Sequence, residues 1–192
     1  MCGRAARPVT PRRRPRRDVP YPIDRSIDGQ NCQGPGACGG SRPVSAAGDA
    51  RWLREAIALS RSCPPSRTAF SVGAVVVGAG GTVLATGYSR ETSPHDHAEE
   101  AALGKLAPGD PRLRTATLYS SLEPCTRRAS RPVSCTQLIL AAGIPEVVFA
   151  WREPLLFADC DGAERLRAAG VAVREVPGLS GGVREVNAHL LR

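Results

Sequence analysis

The chain has 192 residues and a formal net charge of +8, and 42% of its residues are hydrophobic. This length suits one ordinary domain with a tail, and no apolar run reaches the roughly 18 residues that a membrane-spanning helix needs. No apolar stretch or small-residue cleavage site follows the basic first residues, so we expect a cytoplasmic protein without a secretory signal or a membrane partner. In a reducing cytoplasm, the seven cysteines indicate metal binding or burial rather than disulfides.

Most of the excess positive charge lies at the N-terminus. Seven arginines fall within the first 17 residues, and Asp18 is the only acid beside them. Residues 1–48 are rich in Arg, Pro and Gly without apolar periodicity, so we expect this segment to be disordered. A basic arm for nucleic acid or a protein partner is one alternative, and a mis-assigned translation start is another. Cys32 and Cys38 have no nearby histidine or second cysteine pair, so no closed zinc site is expected there.

A folded domain is predicted over residues 49–192 from the hydrophobic periodicity and the turn residues. The predicted elements, in chain order, are a helix between Asp49 and Pro64, strands over 72–77 and 82–86, a helix over 97–106, a strand over 117–120, a helix over 134–142, a strand over 146–150, a helix over 162–169, a strand over 172–175 and a helix over 182–191. The glycine-rich turn 78–81 joins the first two strands into a hairpin. Strands that alternate with helices predict an α/β fold with a mixed sheet, to which the hairpin contributes an antiparallel edge.

Three potential metal ligands fall where predicted strands end and helices begin. His97 opens one predicted helix, Cys125 follows the strand 117–120, and Cys135 lies near the start of the next helix. One imidazole and two thiolates make a three-ligand zinc set, which leaves the fourth tetrahedral position to water as in catalytic sites. We therefore predict one Zn²⁺ per chain, bound by His97, Cys125 and Cys135.

Glu99 is the candidate catalytic residue. Zinc makes hydroxide available near neutral pH, and a carboxylate that is not a ligand can move protons from water to the substrate. Glu100 points about 100° away on a helix, so we expect it at the surface or in a salt bridge. Taken singly, a histidine at a helix start or a buried cysteine is more often a packed side chain than a metal ligand. Together they form a recognisable motif, in which His-x-Glu is followed by Pro-Cys, with the cysteine 28 residues after the histidine. This is the pattern of zinc deaminases.

The motifs resemble those of the cytidine and deoxycytidylate deaminase superfamily at residues 70–74, 97–99 and 122–125. The usual superfamily pattern ends in Pro-Cys-x-x-Cys, whereas nine residues separate Cys125 from Cys135 here. This longer spacing resembles the deaminase domain of the bifunctional riboflavin-biosynthesis deaminase/reductases. The resemblance covers about residues 49–192 and implies a cytidine-deaminase-like α/β/α sandwich with a mixed central sheet, zinc and a homo-oligomer. It also implies hydrolytic deamination of a phosphorylated ribosylamino-pyrimidine, and we expect the deaminase step only because the chain ends where the reductase would begin.

Two positions depart from the riboflavin-type pattern. Arg127 replaces a histidine, and Ala69 stands where that group of enzymes carries Asn. Arg127, Arg128 and Arg131 lie between the two zinc cysteines, where guanidinium groups could bind a substrate phosphate. We select Arg127 and Arg131 as candidate substrate-binding residues, and Arg131 matches the basic residue that precedes the second cysteine in that group.

The remaining histidines and cysteines of the domain are expected outside the metal site. We expect His95 to be a loop residue, His189 to be exposed on the last helix, and Cys63 and Cys160 to be packed or free thiols. A fourth protein ligand such as Cys160 would displace the reactive water.

Two further functions stay open at the level of the sequence. A deaminase of free cytidine or deoxycytidylate is the runner-up, since residues 70–74 suit it equally well. A zinc-stabilised binding module without turnover, or an editing protein steered to nucleic acid by the arginine tail, belongs to another class. Aromatic residues make up only 4% of the chain, which leaves few side chains to stack on bases, so nucleic acid is not the favoured partner.

Overall fold

The computed structural model describes residues 46–154 and 161–191. Cys32, Cys38 and Cys160 lie outside the described residues, as does the predicted disordered segment except for residues 46–48. Those three residues are helical, so the first helix begins slightly before the predicted boundary at Asp49. None of the helices in the described part of the chain has the length and apolar character that crossing a bilayer requires.

Within the described residues, five α-helices and five β-strands follow the predicted order. They are α1 (Ala46–Ser60), β1 (Gly73–Val77), β2 (Val83–Tyr88), α2 (Ala98–Leu103), β3 (Thr117–Leu122), α3 (Cys135–Ala142), β4 (Glu146–Trp151), α4 (Gly162–Ala168), β5 (Ala172–Glu175) and α5 (Ser180–Val186). Two helices end earlier than the sequence predicts. α2 stops at Gly104, a weak helix former. α5 stops at Asn187, whose side-chain amide donates to the carbonyls of Ser71 and Val183 and competes with helical hydrogen bonding.

The strands form one mixed sheet in the order β2-β1-β3-β4-β5. β1 pairs antiparallel with both β2 and β3, whereas β3, β4 and β5 are parallel. The hairpin turn contains Gly80 and Gly81 at φ values of 78° and 83°, a conformation that favours glycine. The predicted antiparallel edge is therefore present, with β2 at the border of the sheet.

Helices cover both faces of the sheet. On one face, Leu53 of α1 and Val183 of α5 pack in a cluster with Tyr119 of β3. On the other face, the helices α2, α3 and α4 pack against Leu118 of β3 and its neighbours. Adjacent strand residues point to opposite faces, so Leu118 and Tyr119 are both buried only because the sheet is covered on both sides. The result is an α/β/α sandwich.

The strand pairing gathers the functional segments at one edge of the sheet. Gly73 pairs with Tyr88, and Ala74 pairs with Ser120. The start of β1, the end of β2 and the end of β3 therefore lie side by side. The chain after β2 leads to His97, and the chain after β3 leads to Cys125, so both residues reach the same edge.

Candidate metal centre and active-site cavity

His97, Cys125 and Cys135 form a compact cluster whose ligand atoms all lie within 4.8 Å of one another. The His97 Nδ1 is 3.5 Å from the Cys125 Sγ and 3.4 Å from the Cys135 Sγ. Zinc bonds of about 2.0 Å to nitrogen and 2.3 Å to sulfur, at tetrahedral angles, place these atoms about 3.5 Å apart. The donor set and its spacing therefore fit one zinc ion. Among the described residues, no other group of three or more His, Cys, Asp or Glu side chains is arranged for a metal.

Local structure positions each member of this cluster. His97 precedes α2 in an extended conformation, and Cys135 is the first residue of α3. The Ser134 side chain caps α3 and fixes where the helix begins. The Thr136 amide donates to the Cys125 carbonyl at 3.2 Å, which joins the loop after β3 to α3.

In the metal-free cluster, each of the three groups changes the pKa values of the others. A hydrogen bond from Cys135, helped by His97, lowers the pKa of Cys125 to about 4. The same bond and burial raise the pKa of Cys135. Burial disfavours the charged form of His97, but its contact with the Cys125 thiolate outweighs burial and raises the pKa of His97. The cluster thus contains a thiolate ready to bind a cation, together with protons that a metal would displace.

Glu99 lies beside the metal cluster and is only 3% exposed. Ser120 Oγ, on the adjacent strand β3, donates to Glu99 Oε1 at 2.8 Å. Burial raises the pKa of Glu99, and the charge of Cys125 adds to that effect. A carboxyl group with raised proton affinity is suited to accept and release protons near neutral pH.

An open cavity of about 1040 Å³ leads to this centre. Its walls come from the segment before β1, the loop that leads to His97, the start of α2, and the chain that follows β3. Glu99 and Cys125 line its interior, together with the apolar side chains of Phe70 and Leu122. A concave site of this size with a few convergent polar groups suits a small-molecule ligand.

The three arginines between the cysteines have different surroundings. Arg127 is exposed, lines the cavity, and forms no hydrogen bond or ion pair with the described residues. The Arg128 side chain is 4% exposed and pairs with Glu100 at 2.8 Å. Arg131 pairs with Asp96 at 3.0 Å and is not part of the cavity wall. Glu100 is thus salt-bridged, which is one of the two expected outcomes, and of these three arginines only Arg127 has a guanidinium without a partner among the described residues.

Within the described residues, the other two histidines and Cys63 are not members of the metal cluster, as predicted. His95 is exposed on the cavity wall and outside the cluster. His189 is exposed, and its Nε2 lies 2.8 Å from the Ser66 carbonyl oxygen. Cys63 is a free thiol that donates to the Val72 carbonyl at 3.4 Å.

Two residues at the site were missed by the sequence interpretation. Ser120 could have been found, because two consecutive serines interrupt an otherwise apolar strand that is buried on both faces. Arg90 lines the cavity and bonds to its wall, yet it lies in a loop with other polar residues and gave no signal.

Residues 47–151 match the model of the cytidine and deoxycytidylate deaminase zinc-binding region. The chain belongs to this family. The match includes all three members of the metal cluster and Glu99, and together with the cluster it confirms the prediction that the cofactor is zinc.

Three curated relatives, a pyrimidine deaminase and two proteins named for riboflavin biosynthesis, match between 54% and 72% of this chain. The diaminohydroxyphosphoribosylamino-pyrimidine deaminase of Schizosaccharomyces pombe is 40% identical over 126 residues, which are 65% of this chain and 31% of that protein. The chain spans about a third of the length of the curated relatives it matches.

Solved structures show the same fold. The diaminohydroxyphosphoribosylaminopyrimidine deaminase/5-amino-6-(5-phosphoribosylamino)uracil reductase of Thermotoga maritima is 31% identical with a TM-score of 0.63, over 73% of this chain and 39% of that chain. The Rib2 deaminase of Aspergillus oryzae, solved in complex with DARIPP, is 26% identical with a TM-score of 0.60, over 75% of this chain and 96% of that chain. The predicted cytidine-deaminase-like fold and the resemblance to the riboflavin branch are confirmed.

Proposed function

We propose that this protein is a zinc-dependent deaminase that hydrolyses the exocyclic C–N bond of a phosphorylated ribosylamino-pyrimidine in riboflavin biosynthesis. The observation that carries the proposal is the cluster of His97, Cys125 and Cys135 beside Glu99 at the base of a cavity. The substrate class is supported by the name of the S. pombe relative and by the DARIPP complex of the A. oryzae deaminase.

The metal ligands, Glu99 and Ser120 have separate roles in the proposed reaction. His97 Nδ1 and the sulfurs of Cys125 and Cys135 would hold the metal. When bound, zinc lowers the pKa of a water molecule toward neutrality and so supplies the nucleophile. Glu99 accepts a proton from the attacking water and delivers protons to the ring nitrogen and the departing amino group, which leaves as ammonia. Ser120 holds one carboxylate oxygen of Glu99 at 2.8 Å and so fixes the direction from which the proton moves.

Arg127 is the candidate for the substrate phosphate in this proposal. It is exposed at the cavity and unpaired among the described residues, so its guanidinium is free to bind an anion. Arg131 was selected from its position before the second zinc cysteine, but its pairing with Asp96 at 3.0 Å supports another role. We propose that Arg131 holds the loop between the two cysteines against the residue that precedes His97.

A Glu99→Gln variant tests the proposed function directly. We expect it to abolish ammonia release while zinc stays bound, because Glu99 moves protons and is not a ligand. Ammonia release is measured with the phosphorylated ribosylamino-pyrimidine, cytidine and deoxycytidylate, and zinc content is measured on the same samples. Glu55→Gln, an exposed position on α1, is the matched control and should retain activity.

Two results would contradict parts of this proposal. Loss of zinc from Glu99→Gln would be incompatible with the role given to Glu99. Turnover by the wild-type protein only with cytidine or deoxycytidylate would reject the riboflavin-type substrate in favour of the runner-up.

Four expectations remain predictions of the sequence. They are the boundary of the catalytic domain at residue 49, the homo-oligomer, the cytoplasmic location and the absence of a nucleic-acid partner.

A further inference from the structure

Arg90, in the loop after β2, has an unusual backbone conformation. Its φ is 63°, and among the described residues it is the one non-glycine residue with a positive φ. Such a conformation is costly for a side chain with a Cβ and persists only where surrounding contacts fix it. The Arg90 amide donates to the Asp96 carbonyl at 2.9 Å, which connects this turn to the residue before His97.

The Arg90 guanidinium makes the contacts that fix this conformation. It donates to the Pro64 carbonyl at 2.9 Å, the Phe70 carbonyl at 3.1 Å and the Ser71 hydroxyl at 3.0 Å. All three acceptors belong to residues 64–71, and most of this segment lines the cavity. Because the segment belongs to no helix or strand, its position depends on contacts of this kind.

The partners of Arg90 are neutral oxygen atoms. None of the ion pairs among the described residues involves Arg90. Its role in the wall therefore depends on the planar shape of the guanidinium, which presents donors in fixed directions, rather than on charge pairing. A lysine would keep the charge but could not reach three acceptors in these directions.

The wall held by Arg90 brings two hydroxyl side chains, Ser66 and Thr68, and two residues without a hydrogen-bonding side chain, Ala69 and Phe70, to the cavity. Ala69 lines the cavity and offers no side-chain hydrogen bond, and Phe70 offers only its ring. This part of the wall must act on a ligand through its shape and its backbone, so its placement is important for affinity.

We propose that Arg90 is a positioning residue that fixes the wall formed by residues 64–71 and thereby sets the affinity for substrate. This inference rests on the proposed deaminase function. It assigns Arg90 to substrate binding and leaves the metal centre and the proton transfer to the residues described above.

Arg90→Lys in the zinc-loaded full chain tests the inference. We expect KM to rise by about tenfold or more, because substrate binding must then supply the free energy of ordering the wall, and the loss of one hydrogen bond from a charged donor corresponds to about a tenfold change in an equilibrium constant. kcat should change much less, and zinc content should be unchanged. A Glu99→Gln background allows Kd for the phosphorylated ribosylamino-pyrimidine to be measured by calorimetry without turnover, and Kd should rise in parallel with KM.

The matched control is Arg167→Lys. Arg167 is exposed on α4 and donates to the Val173 carbonyl at 3.2 Å, so it also bonds to a backbone oxygen but is not part of the cavity wall. Its KM should equal that of the wild type. If Arg90→Lys does not fold, Ser71→Ala removes one acceptor of the guanidinium and should raise KM by a smaller factor.

The outcomes separate this inference from the proposed function. An active wild type with KM and Kd unchanged in Arg90→Lys, or with KM unchanged in Ser71→Ala where that variant replaces it, overturns the inference alone. Loss of zinc or a fall in kcat at constant KM also overturns it, because either result would place Arg90 at the metal centre. A wild type that releases no ammonia from any pyrimidine rejects the proposed function and this inference with it.

Discussion

Two buried acids at the centre of the site have pKa values shifted in opposite directions. A hydrogen bond from Cys135 lowers the pKa of Cys125 to about 4, whereas burial raises the pKa of Glu99. The thiol is therefore ionised and suited to bind a cation, while the carboxyl can pick up a proton near neutral pH. Neighbouring side chains have distinct roles because their hydrogen bonds and burial differ.

Ser120→Ala should lower kcat by about tenfold to a hundredfold, because a hydrogen bond to a charged group is worth about 1.5–3 kcal/mol. KM and zinc content should stay at the wild-type values, since Ser120 contacts Glu99 and is not a member of the metal cluster. Steady-state kinetics with zinc analysis measures all three quantities.

Ser121→Ala is the matched control for that variant. The Ser121 hydroxyl accepts from the Gly73 amide at 3.1 Å, so its loss should reduce the free energy of unfolding while kcat is retained. Equal kcat values for the Ser120 and Ser121 variants would contradict the positioning role of Ser120.

At the scale of elements, the start of α4 lies directly against the loop that carries Cys125. The Ala163 amide donates to Glu123 Oε1 at 2.8 Å. A Cβ added at Gly162 would lie 1.9 Å from the Pro124 carbonyl oxygen, a distance at which the backbone must move. Pro124 immediately precedes Cys125, so the docking of α4 contributes to the position of one metal ligand.

Gly162→Ala should therefore lower the free energy of unfolding by about 1–3 kcal/mol or more, although Ala is the better helix former. Zinc affinity should fall with it, because the displaced carbonyl belongs to the residue before Cys125. Chemical denaturation and competition with a zinc chelator measure the two effects.

Gly181→Ala provides the comparison for that helix variant. Gly181 lies in α5, and an added Cβ there would meet no atom within 4 Å, so stability and zinc affinity should be retained or slightly improved. A Gly162 variant that behaves in the same way would show that α4 does not control the metal site.

For the whole molecule, the metal connects parts of the chain that are distant in sequence. His97 and Cys135 are 38 residues apart and belong to the starts of α2 and α3, on the same face of the sheet. Zinc binds the ligands as the folded protein arranges them and not as the unfolded chain presents them, so zinc binding stabilises the fold by mass action. At a zinc concentration of a hundred times Kd, this stabilisation is about 2.7 kcal/mol.

Removal of zinc with a chelator should lower Tm by several degrees, and the difference should grow as pH rises from about 6 to about 8. The sign follows from the metal-free cluster. His97 and Cys135 have raised pKa values there, so they hold protons that zinc must displace, and a higher pH makes this displacement easier. Differential scanning calorimetry of the loaded and chelated protein at several pH values measures the effect, and a Tm difference that shrinks with rising pH would contradict it.

The sequence by itself determined the order of elements, the α/β class and the metal-binding residue types. These features depend on local information, because hydrophobic periodicity identifies helices and strands, and the motif around His97, Glu99 and Cys125 is compact. The weakest local predictions were two helix ends, which the sequence placed at residues 106 and 191 and the structure places at Gly104 and Asn187. The end at Asn187 depends on a bond to Ser71, a residue 116 positions away in the sequence.

Only the tertiary structure decided which side chains meet. The sequence places both Arg127 and Arg131 in the loop between the zinc cysteines, yet one lines the cavity and the other pairs with Asp96 at 3.0 Å. Ser120 reaches Glu99, and Arg90 reaches residues 64–71, through the order of the strands and the packing of loops. Contacts between segments that are distant along the chain depend on sheet order and side-chain direction, and residue spacing does not encode either of them.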